Sequence, residues 1–92
     1  MQQVRARITI SGRVQGVNFR AYTREQARSI GVNGWVRNLD DGRVEAVVEG
    51  PQPAVQQLIS RCYKGPAHAS VSRVEVAWEP PTGQERGFSI VW

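Results

Sequence analysis

Residues 4 to 11, "VRARITIS", alternate with period two: Val4, Ala6, Ile8 and Ile10 fall on one side, and Arg5, Arg7, Thr9 and Ser11 on the other. That is the pattern of a half-buried strand. After a loop at 12–18 the spacing becomes helical. Phe19, Tyr22, Ala27 and Ile30 share a face with Thr23 and Gln26 between them, and Gly31 is placed to end the helix. "GWVRN" (34–38) and "RVEAVVEG" (43–50) flank "LDDG", where Asp41-Gly42 signals a hairpin turn. In the second arm Val44, Ala46 and Val48 alternate with Glu45, Val47 and Glu49. Pro51 and Pro53 suit the first turn of a second helix, whose apolar stripe is Ala54, Val55, Leu58, Ile59 and Cys62. Gly65-Pro66 stops it. Val74, Val76 and Trp78 then alternate with Arg73, Glu75 and Ala77, and Phe88, Ile90 and Trp92 form a last short strand after the loop "EPPTGQERG".

The order is β-α-β-β-α-β plus a terminal strand. It predicts an α+β, ferredoxin-like sandwich: an antiparallel sheet with two helices on one face. Residues 1–92 form a single domain on this reading, because 92 residues leave no room for a second. The expected core strand order is 4-1-3-2, with strand 1 crossing over helix 1 to a parallel neighbour and the hairpin partner outside. Many functions share this architecture, so the fold alone names none.

Composition narrows the field. Hydrophobic residues make up 40% of the chain and charged residues 22%, a globular balance. The net charge is +4, and Lys64 is the one lysine among eleven arginines. Their scatter reads as a solubilising surface, with attraction of a small anion or of nucleic acid as the other reading. Cys62 is alone, which excludes an internal disulfide framework and a cysteine metal cluster. His68 is the single histidine, which excludes a two-histidine metal site and disfavours a Ser-His-Asp site. Without a signal-peptide h-region or a spanning apolar run, a soluble cytoplasmic protein is expected, and a monomer.

One loop carries chemistry. In "GRVQGVNFR", residues 12 to 20, Gly12 and Gly16 let the backbone turn and approach a ligand. Successive N–H groups in such a turn form an anion-binding nest, and the following helix adds its own unpaired N–H groups and positive end. Arg20, in the first turn, offers a guanidinium fork matched to two phosphate oxygens. The alternative is an ordinary strand-to-helix connection whose arginine points to water. The loop is neither a Walker A motif nor GxGxxG.

The stretch resembles the acylphosphatase signature, in which G-x-V-Q-G-V-x-F-R joins strand 1 to helix 1. A second stretch, "GWVRNLDDGRVE" at 34–45, is similar to that family's G-x-V-x-N-x-x-D-G-x-V-E hairpin. "GP" at 65–66, "VSRVEVAWEPPTG" at 71–83 and "FSI" at 88–90 extend the likeness over nearly the whole chain. The resemblance implies hydrolysis of acyl phosphates to a carboxylate and inorganic phosphate. It makes Arg20 the phosphate-binding arginine and Asn38 the residue that positions the attacking water. Gln15, Gly16, Val17, Asn18 and Phe19 would complete the phosphate cradle with Arg20. Asn18 stands where the family often has glycine or an aromatic residue, and "IVW" replaces the frequent Ile-Arg-Tyr ending.

So small a set of residues is chemically sufficient. The leaving carboxylate has a conjugate acid of pKa about 4, so it departs at neutral pH without a proton donor. Phosphoryl transfer needs mainly positioning and charge stabilisation. Neither metal nor cofactor nor covalent intermediate is expected. The expected partners are an acyl phosphate substrate and inorganic phosphate as product and competitor, with no nucleic acid or membrane. Cys62 reads as a buried structural thiol, His68 as a loop residue, and Asp40 and Asp41 as turn formers. Trp35, Trp78 and Trp92 read as packing residues. Two other functions fit the layout. One is an RNA-binding module, disfavoured because strands 1 and 3 lack aromatics and Glu45 and Glu49 on the open face would repel phosphates. The other is an inactive acylphosphatase-like domain that binds a small molecule.

Overall fold

The alternation at the start of the chain builds β1 (Gln3–Arg13), and its two faces organise everything else. The computed structural model describes residues 2–92; Met1 lies outside the described residues. After β1 come α1 (Phe19–Ile30), β2 (Asn33–Asn38), β3 (Val44–Pro51), α2 (Gln52–Lys64), β4 (Ser70–Glu79) and β5 (Phe88–Ile90). The sheet order is β4-β1-β3-β2-β5.

The core order 4-1-3-2 is therefore the expected one, but the route to it is not. β3, the hairpin partner, stands between β1 and β2, so both neighbours of β1 are antiparallel to it. The terminal strand pairs parallel with β2, Val36 opposite Ile90, which makes the sheet mixed.

On the helix side, Ile8 lies opposite Ala46 and Val76, and Ile10 opposite Val44 and Val74. α1 and α2 cover this face, and their Phe19, Ala27, Val55, Leu58 and Cys62 complete one core. Burying a side chain such as Ile8 or Leu58 is worth about 1.5–3 kcal/mol. The buried stripe of α1 runs Phe19–Thr23–Ala27, with Tyr22 set to its side. Thr23 sits in the core because its hydroxyl donates to the Phe19 carbonyl at 2.9 Å, so that this buried hydroxyl is not left unpaired. Tyr22 donates across to α2, to the Arg61 carbonyl at 3.1 Å.

The open face is closed by charge. Arg5 contacts Glu49, Glu79 and Glu85, Arg7 contacts Glu45 and Glu79, and Arg37 contacts Glu45. Trp35 lies beneath the guanidiniums of Arg7 and Arg37, at 5.9 and 5.3 Å. The loop between β4 and β5 folds over this side. Its Thr82 and Gly83 N–H groups and the Thr82 hydroxyl donate to Glu49, which is only 5% exposed. Glu45 and Glu49 thus do not face solvent as free anions. The expectation that they repel phosphates there is corrected: their charge is spent within the sheet.

Candidate functional site

The sequence motif and the structural loop have different limits. β1 runs through Gly12 to Arg13, with a bulge at Ser11/Gly12 against β4. A Cβ on Gly12 would lie 2.2 Å from the Ser70 carbonyl oxygen. Gly12 therefore serves strand pairing at the bulge, not ligand approach. The loop proper is 14–18. Gly16 has φ +74°, a left-handed conformation glycine adopts without strain, and open space where a side chain would stand. Asn18, the N-cap of α1, has φ 70° and ψ 26°. A left-handed residue is required at this position, and asparagine tolerates that conformation best among residues with a Cβ. This is a conformational reason for the asparagine in place of glycine.

The Asn18 side chain does not cap the helix, and no acidic residue occupies the first turn. The first intrahelical bond is from Tyr22 N–H to the Asn18 carbonyl, at 3.0 Å. The N–H groups of Phe19, Arg20 and Ala21 are the orphan donors of the helix end, and they concentrate its positive dipole at the loop.

A cavity of about 190 Å³ opens there. Gln15, Gly16, Asn18 and Arg20 reach it from the loop and first turn, and Asn38 from the end of β2. Val14, Phe19, Ala21, Ile90 and Trp92 supply apolar wall. Of the expected cradle residues, Val17 does not line it; its side chain packs against the core. Val14, Ala21, Ile90 and Trp92 were not expected there.

Gln15 joins the two halves of the site. Its amide Nε2 donates to the carbonyls of Leu39 and Arg43 at 2.8 and 2.9 Å, tying the loop to the hairpin that carries Asn38. No local pattern announces this, because the acceptors are backbone groups far along the chain. Asn38 pairs with Val44 in the ladder, and its Oδ1 is buried with no hydrogen-bond partner among the described residues. A buried acceptor left in this state is uncommon, and it stands at the wall of the cavity.

Arg20 makes neither ion pair nor hydrogen bond among the described residues. Its Cζ lies 4.3 Å from the centre of the Trp92 ring. Trp92 was expected in the last strand, but β5 ends at Ile90. The Val91 N–H still donates to the Val36 carbonyl at 2.9 Å, and Trp92 then leaves the sheet and lies over Arg20.

The other candidates stay outside the cavity. Cys62 is fully buried, and desolvation pushes its thiol up to about 12, partly offset by the Thr23 hydroxyl, so it is an inert thiol. His68 is exposed in the segment after α2. Asp41 accepts from the Arg43 N–H and guanidinium, at 3.1 and 2.8 Å, and these bonds hold its carboxyl below the usual range. That is turn chemistry, as expected.

Comparison with known proteins shows the family. A family model described as Acylphosphatase matches residues 6–90. The chain is 68% identical over 92 residues to an acylphosphatase of Chloroflexus aurantiacus, covering 100% of both. It is 65% identical to one of Roseiflexus sp., covering 100% of this chain and 99% of that protein. Among solved structures, the acylphosphatase from Bacillus subtilis superposes with a TM-score of 0.94 at 37% identity, over 97% of this chain and 99% of that one.

Proposed function

The chain belongs to the acylphosphatase family and hydrolyses acyl phosphates, and from that premise we propose how its residues divide the work. The phosphoryl group sits at the start of α1, held by the N–H groups of residues 15–20 and by the guanidinium fork of Arg20. Val17 contributes its backbone only, since its side chain belongs to the core. Asn38 fixes the attacking water, accepting from it through Oδ1.

The observation that carries this reading is the convergence of three polar features on one cavity. Among the described residues they are an uncapped helix N-terminus, an arginine without a carboxylate partner and a buried amide oxygen without a donor. Each favours a group that is anionic on one side and donates a proton on the other, as a phosphoryl group with its water does. Arg20 and the nest stabilise charge on the phosphoryl oxygens as the bond to the carboxylate lengthens. The carboxylate leaves unprotonated, at a conjugate-acid pKa of about 4. The water gives up its proton to a phosphoryl oxygen, because an asparagine amide is no base. The chemistry uses neither metal nor cofactor, and inorganic phosphate, the product, competes for the same cradle.

A monomer as the working unit is part of this proposal. No helix among the described residues is long and apolar enough to cross a membrane. The single buried thiol suits a reducing compartment, and with it a cytoplasmic place. Nucleic acid is no partner on this reading, since the open face is occupied by Arg–Glu pairs and strands β1 and β3 offer no aromatic for base stacking.

Hydrolysis of benzoyl phosphate in chelator-treated buffer tests the assignment. Arg20→Ala and Arg20→Lys should each lose at least about a hundredfold in kcat/KM, the scale of removing an oxyanion donor. Phosphate binding measured by calorimetry should vanish with Arg20→Ala. A lysine variant with near wild-type turnover, or equal phosphate binding by both proteins, rules the assignment out.

A further inference from the structure

We infer that Trp92 determines which acyl group the enzyme prefers, by offering a flat apolar wall to the part of the substrate beyond the phosphoryl group. The inference rests on the loop being the phosphate site. It concerns the acyl side, which the polar residues of the cradle do not touch.

Trp92 is 93% exposed, yet it is held at the cavity mouth from two directions. The preceding residue is anchored to β2 through the Val91 N–H and the Val36 carbonyl. The indole itself lies on the Arg20 guanidinium at 4.3 Å. A guanidinium stacked on a ring presents its N–H groups in its own plane. Arg20 can therefore hold a phosphoryl group by its edge while the ring stays in place.

The remaining apolar wall does not compete for the acyl group. Val14 and Phe19 are 1% exposed and have little surface to give. Ala21, Ile90 and Trp92 combine apolar character with accessible surface at the cavity, but Ala21 offers one methyl group beside the N–H-rich helix start, which leaves Ile90 and the indole as the broad apolar surface. Gly16 and Asn18, the other exposed parts of the rim, belong to the polar, N–H-rich side. With the phosphoryl group on that side, the acyl carbon chain lies against Ile90 and the indole. An aromatic or other flat apolar acyl group gains contact there that a methyl group does not, and stacking adds to simple burial.

The test compares kcat/KM for benzoyl phosphate and acetyl phosphate in the wild type, Trp92→Ala and Trp92→Phe. The benzoyl-to-acetyl ratio should fall about fivefold or more in Trp92→Ala, mainly through KM for benzoyl phosphate. Trp92→Phe should restore most of the ratio. Because Trp92 is exposed, circular dichroism should show both variants folded. If Trp92→Ala reduces both substrates equally, the indole only orients Arg20 and the inference is overturned; an unchanged ratio overturns it too. Arg20→Ala separates this from failure of the phosphate site, since its loss of both substrates tests the cradle whatever the ratio does in the Trp92 variants.

Discussion

Gln15 is the joint between the cradle and the strand that carries Asn38, and truncating it measures that joint. Its Nε2 donates to the Leu39 and Arg43 carbonyls at 2.8 and 2.9 Å. Both carbonyls keep another donor when the side chain is removed. Leu39 O accepts from Gly42 N–H at 3.2 Å, and Arg43 O from Leu39 N–H at 2.8 Å. Gln15→Ala therefore strands no buried acceptor, and the loss is the net value of two hydrogen bonds, about 1 kcal/mol each. Freed rotamers of a partly buried glutamine return some of this. A net loss of about 1.5 kcal/mol corresponds to a fall in Tm of about 6–12 °C for a domain of this size. The kinetic effect follows from geometry. The loop and the hairpin lose their fixed register, so kcat should fall by about tenfold with a smaller change in KM. Gln15→Glu should be more destabilising than alanine, because it sets a carboxylate against two carbonyl oxygens. Thermal unfolding followed by circular dichroism and steady-state kinetics on benzoyl phosphate read the two effects. A Gln15→Ala protein that melts within about 2 °C of the wild type and keeps its kcat refutes the joint, as does a glutamate variant more stable than the alanine one.

Two further outcomes follow from single groups. Asn38→Ala should lower kcat by about a hundredfold, the scale of lost positioning, without lowering stability, because it removes a buried acceptor that has no partner among the described residues. Asn38→Asp should be no more active; a large KM rise at constant kcat, or an active aspartate variant, contradicts the water-holding role. Glu49 sets part of the acid limit of stability. Burial raises its pKa, but the Gly83 and Thr82 N–H groups, the Thr82 hydroxyl and Arg5 outweigh that and hold it below the ordinary value of 4.5. A depressed folded pKa contributes stability that is full above the unfolded value, about 4.3, and is lost as pH falls through the folded one. Urea midpoints should show Glu49→Gln weaker than the wild type at about pH 7, with a smaller further loss down to about pH 3; an equal acid-induced loss in both proteins excludes Glu49 as its source.

The elements were legible because their signals are local. Period two at Val4–Ile10 and the proline and glycine stops around α2 depend on residues close in sequence, and the described structure keeps them. The loop and Arg20 were legible for the same reason, since a nest and a helix start are consecutive residues. What escaped depends on distant partners. The alternation put Glu45 and Glu49 on the solvent side, but it does not say that arginines stand opposite across the ladder or that the 80–87 loop folds over them. Trp92 continued the alternation of Phe88 and Ile90, but a guanidinium outside the sheet holds it instead. Gly12 looked like part of the loop because its constraint is the backbone of β4, some sixty residues away. The Gln15 bridge is of the same kind.

Those distant contacts also explain how so small a domain keeps a reactive site without losing its fold. The open face satisfies its charges: Glu45, Glu49 and Glu79 each meet arginine, and Glu49 also takes two backbone N–H groups. A buried carboxylate treated in this way is held by several bonds at once, and removing one partner leaves the charge exposed to the full cost of burial. At the end of the sheet where α1 begins, the arrangement is the reverse. Among the described residues the helix end is uncapped, Arg20 meets an aromatic face and no carboxylate, and Asn38 keeps an acceptor without a donor. None of these groups belongs to the ion-pair network, and the apolar core beneath them does not use their polar atoms. Substitutions at Arg20 and Asn38 should consequently act on turnover far more than on stability. Substitutions at Arg5 or Glu49 should do the opposite. Gln15 couples the loop to the hairpin, because its side chain spans from one to the other, so among Gln15, Arg20 and Asn38 it alone should lower both stability and kcat when truncated.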